Sequence, residues 1–174
     1  MGLILLLIIL LFRGGGKPKV PVTSKTIDSY ATTNAETILT IDGKVNAASL
    51  HKQLRITVDR DDVKFEQIDG YEGNVVKMEH YPNNESAYSN FLLALGHAGF
   101  TKGDNTKALR DERGYCAQGQ RYIFELRQDN KDIQRFWATS CGKPKTYLGV
   151  LSLTLELFQS QVPNYDELTR NVEL

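Results

Sequence analysis

The chain has 174 residues, 41% of them apolar and 24% charged, which suits a single globular domain with a core of ordinary size. Its 21 basic and 21 acidic residues cancel, so it lacks the basic surplus that neutralising a run of nucleic-acid phosphates requires. The densest basic stretch, Lys102 to Arg121, is interleaved with Asp104, Asp111 and Glu112 and reads as a solvated surface.

The amino end, MGLILLLIILLFRGGGKPK, carries an unbroken apolar run from Leu3 to Phe12. At roughly 1.5 Å per residue, a helix over residues 1–12 covers about 18 Å of a bilayer core about 30 Å thick. No Lys or Arg precedes the run and no small-x-small site follows it, so it does not read as a cleavable signal peptide. A buried helix at the domain edge would need some polar face, and the run has none. The expectation is the carboxyl-terminal part of a membrane anchor, residues 1–12, meeting the lipid bilayer through residues 3–12, with the true start upstream of Met1. Arg13, Lys17 and Lys19 follow the run and favour a cytoplasmic location for that side. A disulfide between the chain's two cysteines would require the oxidising side. The second argument is given more weight, so the domain is expected on the extracytoplasmic side.

Residues 13–34 hold three glycines, two prolines and many Ser and Thr residues, the composition of a flexible linker. Residues 35–174 are read as one folded domain. ETILTIDGKV, from Glu36, alternates like a strand and turns at Asp42-Gly43. In QLRITVDRDDVKFEQI, Leu54, Ile56 and Val58 form one apolar face; Val63, Phe65 and Ile68 resume it after Asp61-Asp62. The Phe65-to-Ile68 step breaks period two and predicts a bulge near Glu66. GYEGNVVKMEHY supplies another strand. After Pro82, Asn83 or Asn84 caps a helix whose stripe is Ala87, Phe91, Leu95 and Ala98, widened by Tyr88 and Leu92, with Gly99 closing it.

Tyr122, Phe124 and Leu126 alternate with Ile123 and Glu125, and Phe136 and Ala138 alternate with Arg135 and Trp137. Pairing Phe124 with Phe136 also sets Glu125 opposite Arg135 and Ile123 opposite Trp137, so both faces favour that register. Extended outward, it brings Cys116 near residue 144, about three positions from Cys141. Gly114, Gly119 and Gly142 let the ends bend, and a Cys116–Cys141 disulfide is expected; two buried free thiols are the competing reading. Residues 148–162 fit a strand by Leu151, Leu153, Leu155 and Leu157, or a helix by Leu151, Leu155, Phe158 and Val162. Pro144 and Pro163 bracket a helix-sized piece, which favours helix, and Asn164 is expected to cap a last short turn.

The three histidines, His51, His80 and His97, lack the short spacing of a metal site. Asp59, Asp61 and Asp62 resemble the start of a calcium loop, but the Gly and distal Glu are missing. No G-x-S-x-G elbow, H-E-x-x-H helix or phosphate-cradling loop occurs. No catalytic, cofactor-binding or metal-ligating residue is therefore assigned.

The stretches GFTKGDNTKALRDERGYCAQGQRYIFEL, FWATSCG and LFQSQVPNYDELT resemble uncharacterised single-pass envelope proteins of bacteria, over roughly Glu36 to Leu174. The resemblance implies an anchor and an exported disulfide, and no activity, cofactor or site residue. The expected whole is an α+β domain: an antiparallel sheet of about six strands with one or two helices on one face, preceded by a hydrophobic anchor helix. The expected function is a non-catalytic binding or envelope-interaction module. Its partner is unidentified, and its partner-contact loops carry Gln118, Gln120, Lys143, Lys145 and Tyr147. The alternatives are a protease inhibitor presenting a disulfide-pinned loop and an enzyme using Cys141.

Overall fold

The computed structural model describes residues 26–174. The expected anchor and the first part of the linker lie outside the described residues. The linker was expected to run to residue 34, but a short 3-10 helix, Ile27–Tyr30, already belongs to the fold. Ile27 and Ala31 are buried there, because a lone isoleucine in a polar stretch can still find an apolar groove.

Six strands, β1 (Ala35–Asp42), β2 (Lys52–Val58), β3 (Asp62–Asp69), β4 (Asn74–Pro82), β5 (Arg121–Gln128) and β6 (Lys131–Thr139), form one antiparallel sheet in the order β4-β3-β2-β1-β5-β6. Three α-helices, α1 (Glu85–Ala98), α2 (Leu151–Gln159) and α3 (Tyr165–Thr169), and a second 3-10 helix, Lys107–Leu109, complete the described chain. The α+β class and the six-strand sheet expected from the sequence are both present. Among the described residues no helix is long and apolar enough to cross a membrane.

Alternation along each strand gives the sheet two unlike faces. Leu39 lies between Ile56 and Phe124, Ile56 pairs with Phe65, and Phe124 pairs with Phe136. This apolar face packs against Tyr88, Phe91, Leu92 and Leu95 of α1 and Phe158 of α2. The Phe91 and Phe158 rings meet edge-on at 5.3 Å. Each such side chain, taken fully from water, contributes about 1.5–3 kcal/mol. Asn84 caps α1 by accepting from the Ala87 amide at 2.9 Å, and Gly99 ends it in the left-handed region at φ 79°. Ala87 is exposed rather than part of the stripe; Tyr88 takes its place, donating its hydroxyl to Ala35 O at 3.0 Å.

The β5–β6 hairpin has the expected register, Phe124 opposite Phe136, Glu125 opposite Arg135 and Ile123 opposite Trp137. Asp129 and Asn130 make its turn, both at positive φ, which short polar side chains tolerate. Other details differ from the sequence reading. The bulge falls where Gln67 pairs with Lys77 and Ile68 with Val75, so the extra residue is Val76 on β4. Asp42-Gly43 does not close a tight hairpin; residues 43–51 loop out before β2. Residues 151–159 are helical, and Leu153 is exposed because the helical stripe, not the alternating one, faces the core. Asn164 precedes α3 in the left-handed region and its side chain makes no cap.

Candidate functional site

The second face of the sheet is polar at its centre, where Thr40 and Asp42 of β1, Gln53 and Arg55 of β2, Arg121 and Glu125 of β5, and Arg135 of β6 all project. It is partly roofed by two loops. The first, residues 43–51, is tied down by Arg121, whose guanidinium donates to Gly43 O at 2.6 Å. The second, residues 102–120, is fixed by Trp137, which donates its indole N–H to Leu109 O at 2.7 Å and stacks on Tyr115. The loops join where Val45 donates its amide to Ala117 O at 2.7 Å.

At one side of this face Asp42 holds two partners. Its carboxylate meets Arg121 at 2.7 Å and His51 Nε2 at 2.8 Å. His51 is wholly buried, with Nδ1 3.1 Å from Lys44 O and its ring stacked on Tyr71 at 4.0 Å. On the other side Arg135 pairs with Glu112 at 2.8 Å and, more loosely, with Glu125 at 3.6 Å. Burial disfavours the Arg135 charge, but the hydrogen bond and charge of Glu112, with Glu125 and Asp111, raise its pKa regardless. Among the described residues, Arg55 is held by a long 3.8 Å ion pair to Glu66.

Between these groups lies a cleft of about 210 Å³ lined by Thr40, Asp42, Gln53, Arg55, Glu112, Ile123, Glu125 and Arg135. A larger groove of about 570 Å³ shares Arg135 with it. The cleft sets three carboxylates against two guanidiniums, an arrangement that can hold a small group or side chain carrying both signs of charge. Thr40 is the one hydroxyl in its lining, and no histidine or cysteine lines it.

Cys116 and Cys141 are bonded. The ladder ends with Ser140 N donating to Gln120 O at 2.9 Å and Gln120 N donating to Ser140 Oγ at 2.9 Å. Residues 116–119 then turn back, Gly119 N donating to Cys116 O at 3.0 Å, which closes the three-residue offset left by the hairpin register. The bond ties the roof loop to the end of β6. Cys141 therefore has no thiolate for nucleophilic attack.

The residues expected to contact a partner differ in exposure. Gln118 and Lys143 are exposed, while Gln120 and Lys145 are half-buried. Gln120 Oε1 accepts from the Tyr122 hydroxyl at 2.8 Å. Tyr147 is a correction: it is a core residue, 1% exposed, its hydroxyl 2.6 Å from Thr154 Oγ1. An aromatic beside a polar loop looks like a contact residue in sequence, but here the segment turns inward against Phe124. Sequence reasoning missed the Asp42–His51–Arg121 cluster. The available signal was Arg121, Glu125 and Arg127 on the face of a strand whose other face is aromatic.

No known protein family matches the sequence, and no curated protein matches it either.

Proposed function

We propose that the chain is a non-catalytic binding module, anchored to a membrane through its apolar leader, with the folded domain on the extracytoplasmic side. The observation that carries the reading is the Cys116–Cys141 bond. Disulfides persist in oxidising compartments, and this one fixes the loop that roofs the polar face. A surface ordered in advance loses less conformational freedom when it binds. The cleft beneath the roof suits a polypeptide or envelope component with charged groups of both signs, Arg55 taking an anionic group and Glu112 and Glu125 facing a cationic one. Gln118 and Lys143 extend that surface at the disulfide end.

Two measurements test it. Protease added to intact spheroplasts should digest the domain; a domain protected until the membrane is lysed would overturn the assignment of side. Chemical crosslinking of the full chain in envelopes should yield a partner that is lost with Arg55→Glu and weakened by Lys143→Ala with Gln118→Ala. Crosslinked species unchanged in both variants would remove this face from consideration.

A further inference from the structure

The two edges of the sheet are finished differently. At β6 the main chain of Trp137 is occupied: its N–H donates to Thr146 Oγ1 at 2.8 Å, and its carbonyl accepts from the Thr146 and Tyr147 amides at 2.9 and 2.8 Å. At β4, nine residues long, no described strand pairs on the outer side. Val75, Val76 and Met78 are 41%, 59% and 45% exposed along it. A long, apolar open edge is one that folded proteins ordinarily shorten, charge or cover.

The direction of the free main-chain groups follows from the ladder. Asn83 donates its amide to Asp61 O at 3.0 Å, and the pairs Val63–Tyr81 and Phe65–Glu79 continue that register. Bonded pairs recur at every second residue, so Tyr81 and Glu79 turn their main-chain groups toward β3, and Met78 and His80 turn theirs outward. Pro82, which has no N–H, also falls on the outward set, where no ladder bond is lost.

We propose that two copies of this chain pair through β4, antiparallel about a two-fold axis at Met78, so that Lys77 of each faces Glu79 of the other. The Met78 residues then exchange both main-chain hydrogen bonds, and the two sheets become one. The side-chain pattern selects this register. Shifting it by two residues either way sets Glu79 opposite Glu79 or Lys77 opposite Lys77, which is unfavourable. The proposed register instead yields two opposite-charge pairs, Lys77 with Glu79 on each side of the axis. Neither Lys77 nor Glu79 has an ion pair among the described residues, so both are available. A charge on an edge strand normally deters pairing; here the deterrent is cancelled only by a second copy. Beyond this core, Val76 meets His80 and Val75 meets Tyr81, though the bulge at Val76 loosens that end. An interface this small gives a weak, salt-sensitive dimer in the micromolar range.

Sedimentation velocity of the full chain in a mild detergent, over a concentration series, should show a monomer passing to a dimer. Lys77→Glu and Glu79→Lys should each raise the dissociation constant about tenfold or more, and the double reversal should restore it. Met78→Cys should give a disulfide-linked dimer on a non-reducing gel, whereas Leu93→Cys, exposed on α1, should not. The wild-type series needs no variant to fold, and circular dichroism checks the variants. A wild type that stays monomeric at all concentrations overturns the proposal. So does a dimer that survives both single reversals, since it is held elsewhere, or one that the double reversal fails to restore.

Discussion

Replacing Asp42 by asparagine isolates the charge cluster at the centre of the polar face. The change keeps volume and removes the carboxylate that meets Arg121 at 2.7 Å and His51 at 2.8 Å. Arg121 is 3% exposed, so its guanidinium cannot recover the loss from water. Stranding one partner of a buried ion pair costs about 3–5 kcal/mol. The lower figure applies because the Asp42 side chain is 15% exposed and Arg121 keeps its bond to Gly43 O. With a urea slope of about 2 kcal/mol per molar, a loss of about 3 kcal/mol lowers the unfolding midpoint by about 1.5 M. The single tryptophan, Trp137, is buried and reports the transition by fluorescence. Adding Arg121→Met to Asp42→Asn removes the stranded charge and should recover about 1–2 kcal/mol of the loss. A midpoint shift below about 0.3 M for Asp42→Asn, or a double variant less stable than the single, would refute the cluster's role.

Other consequences are as direct. Burial holds the Tyr88 phenol well above its ordinary pKa, Asp59 and Glu36 adding to the shift and Thr37 opposing it. Its folded-state pKa exceeds the unfolded one, so the stability it contributes is intact below about pH 10 and falls as the unfolded chain ionises above it. Tyr88→Phe should flatten the alkaline decline in urea midpoint, but only in part, because Tyr147 and Tyr165 are shifted the same way and remain; an unchanged slope would be evidence against it. Gly119→Ala sets a methyl group 2.7 Å from Cys116 Sγ and against Ser140 Oγ. It should destabilise by about 1–3 kcal/mol and slow oxidation of the cysteine pair, both measurable on the refolding chain. Asn84→Ala removes the α1 cap and should cost about 1 kcal/mol in the same urea assay.

What could be read in advance was whatever local chemistry decides. The β5–β6 register was legible because aromatic and charged pairs on both faces agreed, and the disulfide followed from it. The punctuation of α1 by Asn84 and Gly99 was legible because capping is local. What was not legible depends on neighbours distant in sequence. Tyr147 looked like a surface residue because its flanking loop is polar, and only the position of Phe124 decides that it turns inward. Asp42 beside Gly43 carried a turn signal, while its partners Arg121 and His51 come from other parts of the chain. The bulge was placed on β3 because Ile68 fell out of phase there, yet the extra residue is Val76 across the ladder. Ile68 itself keeps step with β2, where it pairs with Gln53, so it lies on the face opposite Phe65 and is fully buried there rather than rejoining the Val63 and Phe65 face.

The state of the two cysteines in the cell bears most directly on where this domain works and what keeps its roof in place. Intact mass of the full chain, extracted from cells and alkylated before any reductant is added, reads that state. No adduct on Cys116 or Cys141 until reduction, and one on each afterwards, is the expected result. Adducts on both cysteines in the chain as extracted would contradict the oxidised, pinned fold and the compartment inferred from it.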